Sequence, residues 1–246
     1  MYTRHSPCRC PAFSESVVGL QMHKGLRQIC RKVVAVGRNY VEHARELGRQ
    51  IQSEPVIFLK PSSSIIEHGE TIEIPNGVTE LHHEVELGFV IGKELSKVKP
   101  TDFTDSILGF VVALDMTNRG LQNVLKSRQL PWTLSKCFDT SCPVGPLLPC
   151  SMLPSGIFSP NSSDFKAVAP SVQLWLRVNK TERQRASIDG MIHSPAELIS
   201  FISYHMRLEP GDLILTGTPA GVGPVESGDL ITAGIEGLCE VDFPVV

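Results

Sequence analysis

Residues 79–91 read TELHHEVELGFVI, and the placing of this stretch decides the fold. Its residues alternate: Val85, Leu87, Phe89 and Ile91 point one way, while Glu84, Glu86 and Gly88 point the other. That is a strand with one apolar face and two carboxylates on its other face. Like charges so placed repel, and each is relieved by a proton or a cation. Oxygen ligands suit a hard divalent cation, yet two acids on a solvated strand face give the same pattern. His82 and His83 are read as structural neighbours of the pair.

Downstream, ILGFVVAL (107–114) is an apolar run of strand length that stops at Asp115, a candidate third carboxylate. Three carboxylates with open positions suit Mg²⁺ or Mn²⁺. NRGLQNVLKSR (118–128) reads as a helix weakened by Gly120. PWTLSKCFDTSCPVGPLLP (131–149) reads as a proline-rich loop that carries Lys136. Upstream, VVAV (33–36) is a buried strand, GRN a turn, and YVEHARELGR (40–49) a helix. Asn39 is its expected N-cap, Glu42 the capping-box partner, and Gly48 the stop. His43 and Glu46, three apart, share a face of that helix. A carboxylate there could orient the imidazole as a general base for water, although a surface ion pair has the same spacing.

VIFLK (56–60) is a second strand, and SSSIIEHGETIEIP (62–75) a hairpin with its turn at HGE. Residues 149–170 are rich in Ser and Pro and read as a surface insertion with little internal order. SVQLWLRVN is a strand, and PAELISFISYHM (195–206) a helix with Pro195 at its first position and Ser194 as N-cap. DLILTG is a strand that runs into the glycine-rich TPAGVGP. Thr216 and Thr218 flank Gly217 there, and backbone N–H groups in such a loop can hold an anionic oxygen. The loop is not G-x-G-x-x-G and has no P-loop lysine, which argues against nucleotide binding. ESGDLITAGIEGLCEVDF closes the chain with short strands. Many short strands and few helices predict an α+β, β-rich single domain.

The 246 residues can bury a sizeable core. A net charge of −3 gives no electrostatic case for nucleic acid, and no apolar run approaches the roughly 20 residues that span a bilayer. The charge is uneven. Residues 1–32 hold six basic residues and one acid, and the remainder carries a net −8. A basic, acid-poor leader resembles an organelle transit peptide, with a disordered N-terminal tail as the other reading of residues 1–32; the first predicts a mitochondrial protein, and a cytoplasmic one is the alternative. The seven cysteines include no C-x-x-C pair, so free thiols are expected rather than structural zinc.

GRNYVEHARELG, EPVIFLKPSSS, LHHEVELGFVIGK, GFVVALDMTNR, LPWTLSKCFDTSCPVGP and DLILTGTPAGVGPV occur in this order. The ordered set resembles the fumarylacetoacetate hydrolase (FAH) superfamily, and within it the short eukaryotic branch, over residues 33–243. The resemblance implies the FAH fold, a roll of mixed β-sheets with a short lid helix, in a homodimer. It implies Glu84, Glu86 and Asp115 as ligands of Mg²⁺ or Mn²⁺, and His43 and Glu46 as the water-activating pair. Lys136 would steady an enolate and Gln122 would help to place water or substrate. Arg38, Lys60 and Thr218 would lie near the substrate.

The activity so implied is hydrolysis of acylpyruvates, with decarboxylation of oxaloacetate at the same site. A 2-oxo acid tautomerase of the same fold is the second reading, set behind because tautomerisation needs no activated water. A non-catalytic binding relative is the third. The chain departs from the family pattern where TARD becomes TNRG, with Asn118 and Gly120. This predicts a carboxylate lost near the metal. Further departures are Cys137 after the lysine and Lys180 in place of a turn glycine.

Overall fold

The alternating stretch is an inner strand of a seven-stranded sheet. The structure, a computed structural model, describes residues 25–46 and 53–246. Its elements run α1 (Leu26–Ile29), β1 (Lys32–Gly37), α2 (Val41–Glu46), β2 (Val56–Pro61), β3 (Ile65–Glu67), β4 (Leu81–His83), β5 (Val85–Ile91), β6 (Ile107–Leu114) and β7 (Thr117–Asn118). Then follow α3 (Arg119–Ser127), α4 (Thr133–Lys136), β8 (Cys142–Val144), α5 (Ser162–Val168), β9 (Gln173–Val178), β10 (Thr181–Ser187), α6 (Pro195–His205), β11 (Leu213–Leu215), β12 (Gly223–Val225), β13 (Leu230–Ile235) and β14 (Cys239–Pro244). The large sheet has the order β2-β1-β11-β5-β6-β8-β3 and is mixed: β1 pairs β11 in parallel, and β5 pairs both neighbours antiparallel. A four-stranded sheet has the order β10-β9-β13-β14, and a small one β12-β4-β7. This strand-rich α+β roll is the expected fold.

Period two explains how the large sheet is covered. Val34, Val36, Leu87, Phe89, Phe110 and Val112 share one core with Leu174, Leu176, Ile231 and Val241 of the four-stranded sheet. Val33, Ala35, Val90, Val111, Ala113 and Leu213 form a second core on the opposite face, closed by Leu26 and Cys30. With both faces covered, β5 is buried at every position. Alternation along it therefore distinguishes two buried faces rather than core from water. The solvated-face alternative for Glu84 and Glu86 falls away.

Several local expectations need correction. The turn at HGE exists, with Gly69 at φ +86 and Glu70 N–H donating to Glu67 O. Its arms do not pair with each other, however. β3 pairs β8 in parallel, and Ile72 bridges Val245. Asn39 does not cap α2: its amide donates to His193 O (3.0 Å) and Thr216 O (2.8 Å), and its Oδ1 accepts from His193 N–H. The expected stop at Gly48 lies outside the described residues.

The proline-rich stretch folds into α4 and β8. Part of the basic segment belongs to the folded body, since Leu26 and Cys30 are buried and Lys32 opens β1; residues 1–24 lie outside the described residues. Nor does 149–170 lack order. It forms α5 and short 3₁₀ turns, and it buries Leu153, Ile157, Phe158, Phe165 and Ala169 in the main core. Phe158 meets Phe89 edge-on at 4.8 Å. The five described cysteines form no disulfide with one another.

Candidate active site

The strands β1, β5, β6 and β11 bring their ends to one place. Glu86 lies within β5, Glu84 in the link from β4, and Asp115 directly after β6, where Asp115 N–H donates to Glu84 O at 2.9 Å. One carboxylate oxygen from each of Glu84, Glu86 and Asp115 lies within 4.8 Å of the others, and all three residues are buried. Three hard oxygen donors converging this closely fit an octahedral divalent cation that keeps open positions for substrate oxygens.

Buried charges must be paired, and here cations enclose the acids. Lys136 Nζ donates to Glu84 Oε2 (2.9 Å), to Thr117 Oγ1 (2.6 Å) and to Asp115. Lys60 Nζ donates to Asp115 Oδ1 at 2.8 Å and also to the Lys136 carbonyl. Arg119 donates to Glu84. Burial alone would lift the Glu84 carboxyl, but Lys136 and Arg119 outweigh it and hold Glu84 well below the usual carboxylate range. Among the described residues Glu86 is in no ion pair, and the Lys136 charge only partly offsets its surroundings. Burial, with Asp115 and Glu84 as like charges beside it, pushes Glu86 well above that range. Its Oε2 accepts instead from Gly217 N–H at 2.7 Å. Burial lowers the Lys136 ammonium, yet Asp115 and Glu84 more than reverse that and raise it.

A cavity opens onto these groups. It is lined by the three acids, Arg38, His43, Lys136, Gln122 and Thr218, together with Phe58, Arg119, Lys126 and Trp132. Of the residues singled out in the sequence, Lys60 is not among its walls. Its side chain is buried and donates to Asp115. Glu46 stands behind His43, with Oε2 3.0 Å from Nδ1, and its Oε1 accepts from Gly221 N–H at 3.2 Å. Backbone N–H groups of the glycine-rich loop are thus given to the protein's own carboxyl groups, those of Glu86 and Glu46. Gln122 Oε1 accepts from both Arg119 and Lys126, each at 2.6 Å.

Arg38 enters with φ 60, the left-handed region, at the turn after β1. Its guanidinium lies 5.7 Å from the centre of the Trp132 ring, and Lys126 lies 5.0 Å from the same ring. The N-terminal turn of α3 is where the chain departs from the family pattern. Asn118 caps the helix by accepting from Leu121 N–H at 3.1 Å. A side chain at position 120 would start toward Glu80, 3.9 Å away, and Thr79.

Residues 32–246 match the family described as Fumarylacetoacetate (FAA) hydrolase C-terminal. This chain belongs to the fumarylacetoacetate hydrolase family. It is 49% identical over 214 residues to the Oxaloacetate tautomerase FAHD1, mitochondrial, of Arabidopsis thaliana, covering 87% of this chain and 90% of that one. It is 44% identical to the Oxaloacetate decarboxylase, mitochondrial, of Dictyostelium discoideum, covering 88% and 94%. A crystal structure of fumarylpyruvate hydrolase from Pseudomonas aeruginosa in complex with Mn²⁺ and pyruvate superposes with a TM-score of 0.77 at 37% identity, covering 88% of this chain and 90% of that one. FAH-family enzymes of this kind carry different activity names on one fold. Both relatives are mitochondrial by name, in line with the basic leader.

Sequence reasoning passed over Arg119, Lys126 and Trp132 within this FAH-type site. Arg119 sits one residue after a cap and four after Asp115. A lone arginine opening a helix there was the available signal, because the positive N-terminus of a helix disfavours a cation unless an acid receives it.

Proposed function

We propose that this chain is a divalent-metal enzyme of small 2-oxo acids of the oxaloacetate type, and that it interconverts their enol and keto forms. The buried cluster of Glu84, Glu86 and Asp115, with Lys136 bonded into it, supports this reading. A bound Mg²⁺ or Mn²⁺ would draw electron density from the carboxylate and keto oxygens of the substrate and so acidify the adjoining methylene.

The protein's own groups supply the rest. Lys136 keeps its charge through Asp115 and Glu84 and offers it to the oxygen on which enolate charge builds. With Glu46 holding Nδ1, His43 is left with Nε2 to take a proton from the methylene and return it. Arg38 is the proposed carboxylate contact, Thr218 lies beside the substrate with its hydroxyl proton given to Val85 O, and Gln122 is the group that orients water or substrate. Phe58 and Trp132 keep bulk water from the charged centre. The relatives' names move tautomerisation ahead of the order that the family resemblance alone gave.

A second reading has its own support. The same His43–Glu46 pair suits abstraction of a proton from water, followed by attack on the distal carbonyl of an acylpyruvate. The carbon–carbon bond then breaks, and pyruvate leaves as its enolate. Decarboxylation of oxaloacetate reaches that enolate without a base. The chain works in the mitochondrion on either reading.

The deciding experiment follows the enol absorbance of oxaloacetate, pyruvate release and acetylpyruvate cleavage side by side, with the full chain and Mg²⁺ or Mn²⁺. The expected result is accelerated loss of enol without matching pyruvate, reduced at least ~100-fold in Glu84→Ala and Asp115→Ala. Enol decay at the uncatalysed rate overturns the reading. Pyruvate appearing as fast as enol is lost makes the chain a decarboxylase instead.

A further inference from the structure

β10 is the edge of the four-stranded sheet, and six of its seven residues are exposed or half-buried. The exception is Gln184, which is 1% exposed. The pairing of β10 with β9 slips by one residue between Glu182 and Gln184, leaving Arg183 as the extra residue of a bulge. A bulge re-aims the side chain that follows it. Here it turns a polar residue into the molecule from a strand that otherwise faces outward.

The four hydrogen-bonding capacities of the Gln184 amide are all used. Oε1 accepts from Val85 N–H (3.1 Å) and from His83 Nδ1 (3.0 Å). Nε2 donates to Thr218 Oγ1 (2.9 Å) and to Pro219 O (3.0 Å). The amide's orientation follows from its backbone partners, since Val85 N–H can only donate and Pro219 O can only accept. One side chain therefore ties the segment carrying Glu84 and Glu86 to the loop 216–221. Thr218 closes the ring by donating to Val85 O at 2.9 Å.

That loop has two further duties. Gly217 N–H holds Glu86, and Gly221 N–H holds Glu46, the partner of His43. Gly221 is left-handed at φ +93, and a Cβ on it would stand 2.2 Å from the carbonyl oxygen of Arg183, the bulge residue itself. The loop rests directly on the bulge. We propose that Gln184 is a positioning residue: it fixes loop 216–221 so that one acid of the metal cluster and the His43–Glu46 pair are held in a single geometry. The proposal rests on the functional reading above for its consequence in catalysis, and on the hydrogen bonds alone for its structural part.

The test uses Gln184→Met, which fills similar space without the four bonds, and Gln184→Glu, which keeps the two acceptor contacts and loses the two donors to the loop. Backbone amide exchange, read residue by residue by NMR in the full chain, is the primary measurement. Exchange at Gly217 and Gly221 is expected to quicken at least 10-fold in both variants, with the β5–β6 amides unchanged. Mn²⁺ binding, read by EPR, is expected to weaken several-fold. Turnover of oxaloacetate enol is expected to fall mainly in kcat. Wild-type exchange at Gly217 and Gly221 in a folded variant overturns the proposal, and so does an increase spread evenly over all strands, which marks plain destabilisation. If Gln184→Met does not fold, Gln184→Glu decides by the same amides. A wild-type chain inactive on oxaloacetate would sink the functional reading while leaving the exchange result standing.

Discussion

Glu86 is the acid of the three that is in no ion pair among the described residues. Burial and its like-charged neighbours raise it well above the ordinary carboxylate range, so near neutral pH it holds its proton more readily than Glu84 does. A metal ligand must be deprotonated, and binding then releases that proton. Mn²⁺ affinity is therefore expected to rise as pH rises, with proton release on binding, measurable by calorimetry in buffers of different ionisation enthalpy. Affinity flat with pH would show that Glu86 is already ionised. Period two gave the relation of Glu84 to Glu86 because both sit on or beside one strand. It could not give their surroundings. Arg119 and Gln184 reach the site from a helix start and from a bulge in another sheet, and neither position has a periodicity that points inward.

The segment 149–170 shows how composition misleads at the scale of an element. Its Ser and Pro content suggested a loose loop, yet five apolar side chains scattered along it are buried. Phe158 sits between Phe89 and Phe103, with ring centres 4.8 and 6.0 Å away. Phe158→Ala is expected to cost about 3–5 kcal/mol of unfolding free energy, read by urea denaturation; a loss under ~1 kcal/mol would return the segment to the surface. Strands with unbroken apolar runs were legible to the residue, as β6 shows. The supposed hairpin at 62–75 was not, because its partners come from β8 and the C-terminal end, and distant pairing leaves no local mark. Asn179 and Lys180, which link β9 to β10, have φ 49 and φ 70. The lysine therefore sits where a tight hairpin turn favours glycine.

The whole molecule presents one edge that invites a second copy. β2 ends the large sheet, and Leu59, Leu130 and Leu134 are 47%, 47% and 72% exposed. Leu59 and Leu130 line, with Phe58, Pro131 and Trp132, a groove of about 740 Å³, and Leu134 follows Thr133, another of its walls. An apolar edge of this kind is a liability unless it is covered, and we propose that a homodimer covers it. Light scattering is expected to give twice the chain mass, and Leu134→Glu to shift it toward one; a wild-type monomer at micromolar concentration ends that proposal.

The ion pairs around the acids have a practical consequence. Glu84 and Asp115 already have Lys136, Lys60 and Arg119 as counter-ions, so folding is expected not to wait on a metal. Chelator should behave as an on–off switch and not as a denaturant. Treated protein is expected to melt within a few degrees of untreated protein and to recover turnover when Mg²⁺ or Mn²⁺ is restored. Such a chain can be stored stripped, then loaded with one chosen ion at a time.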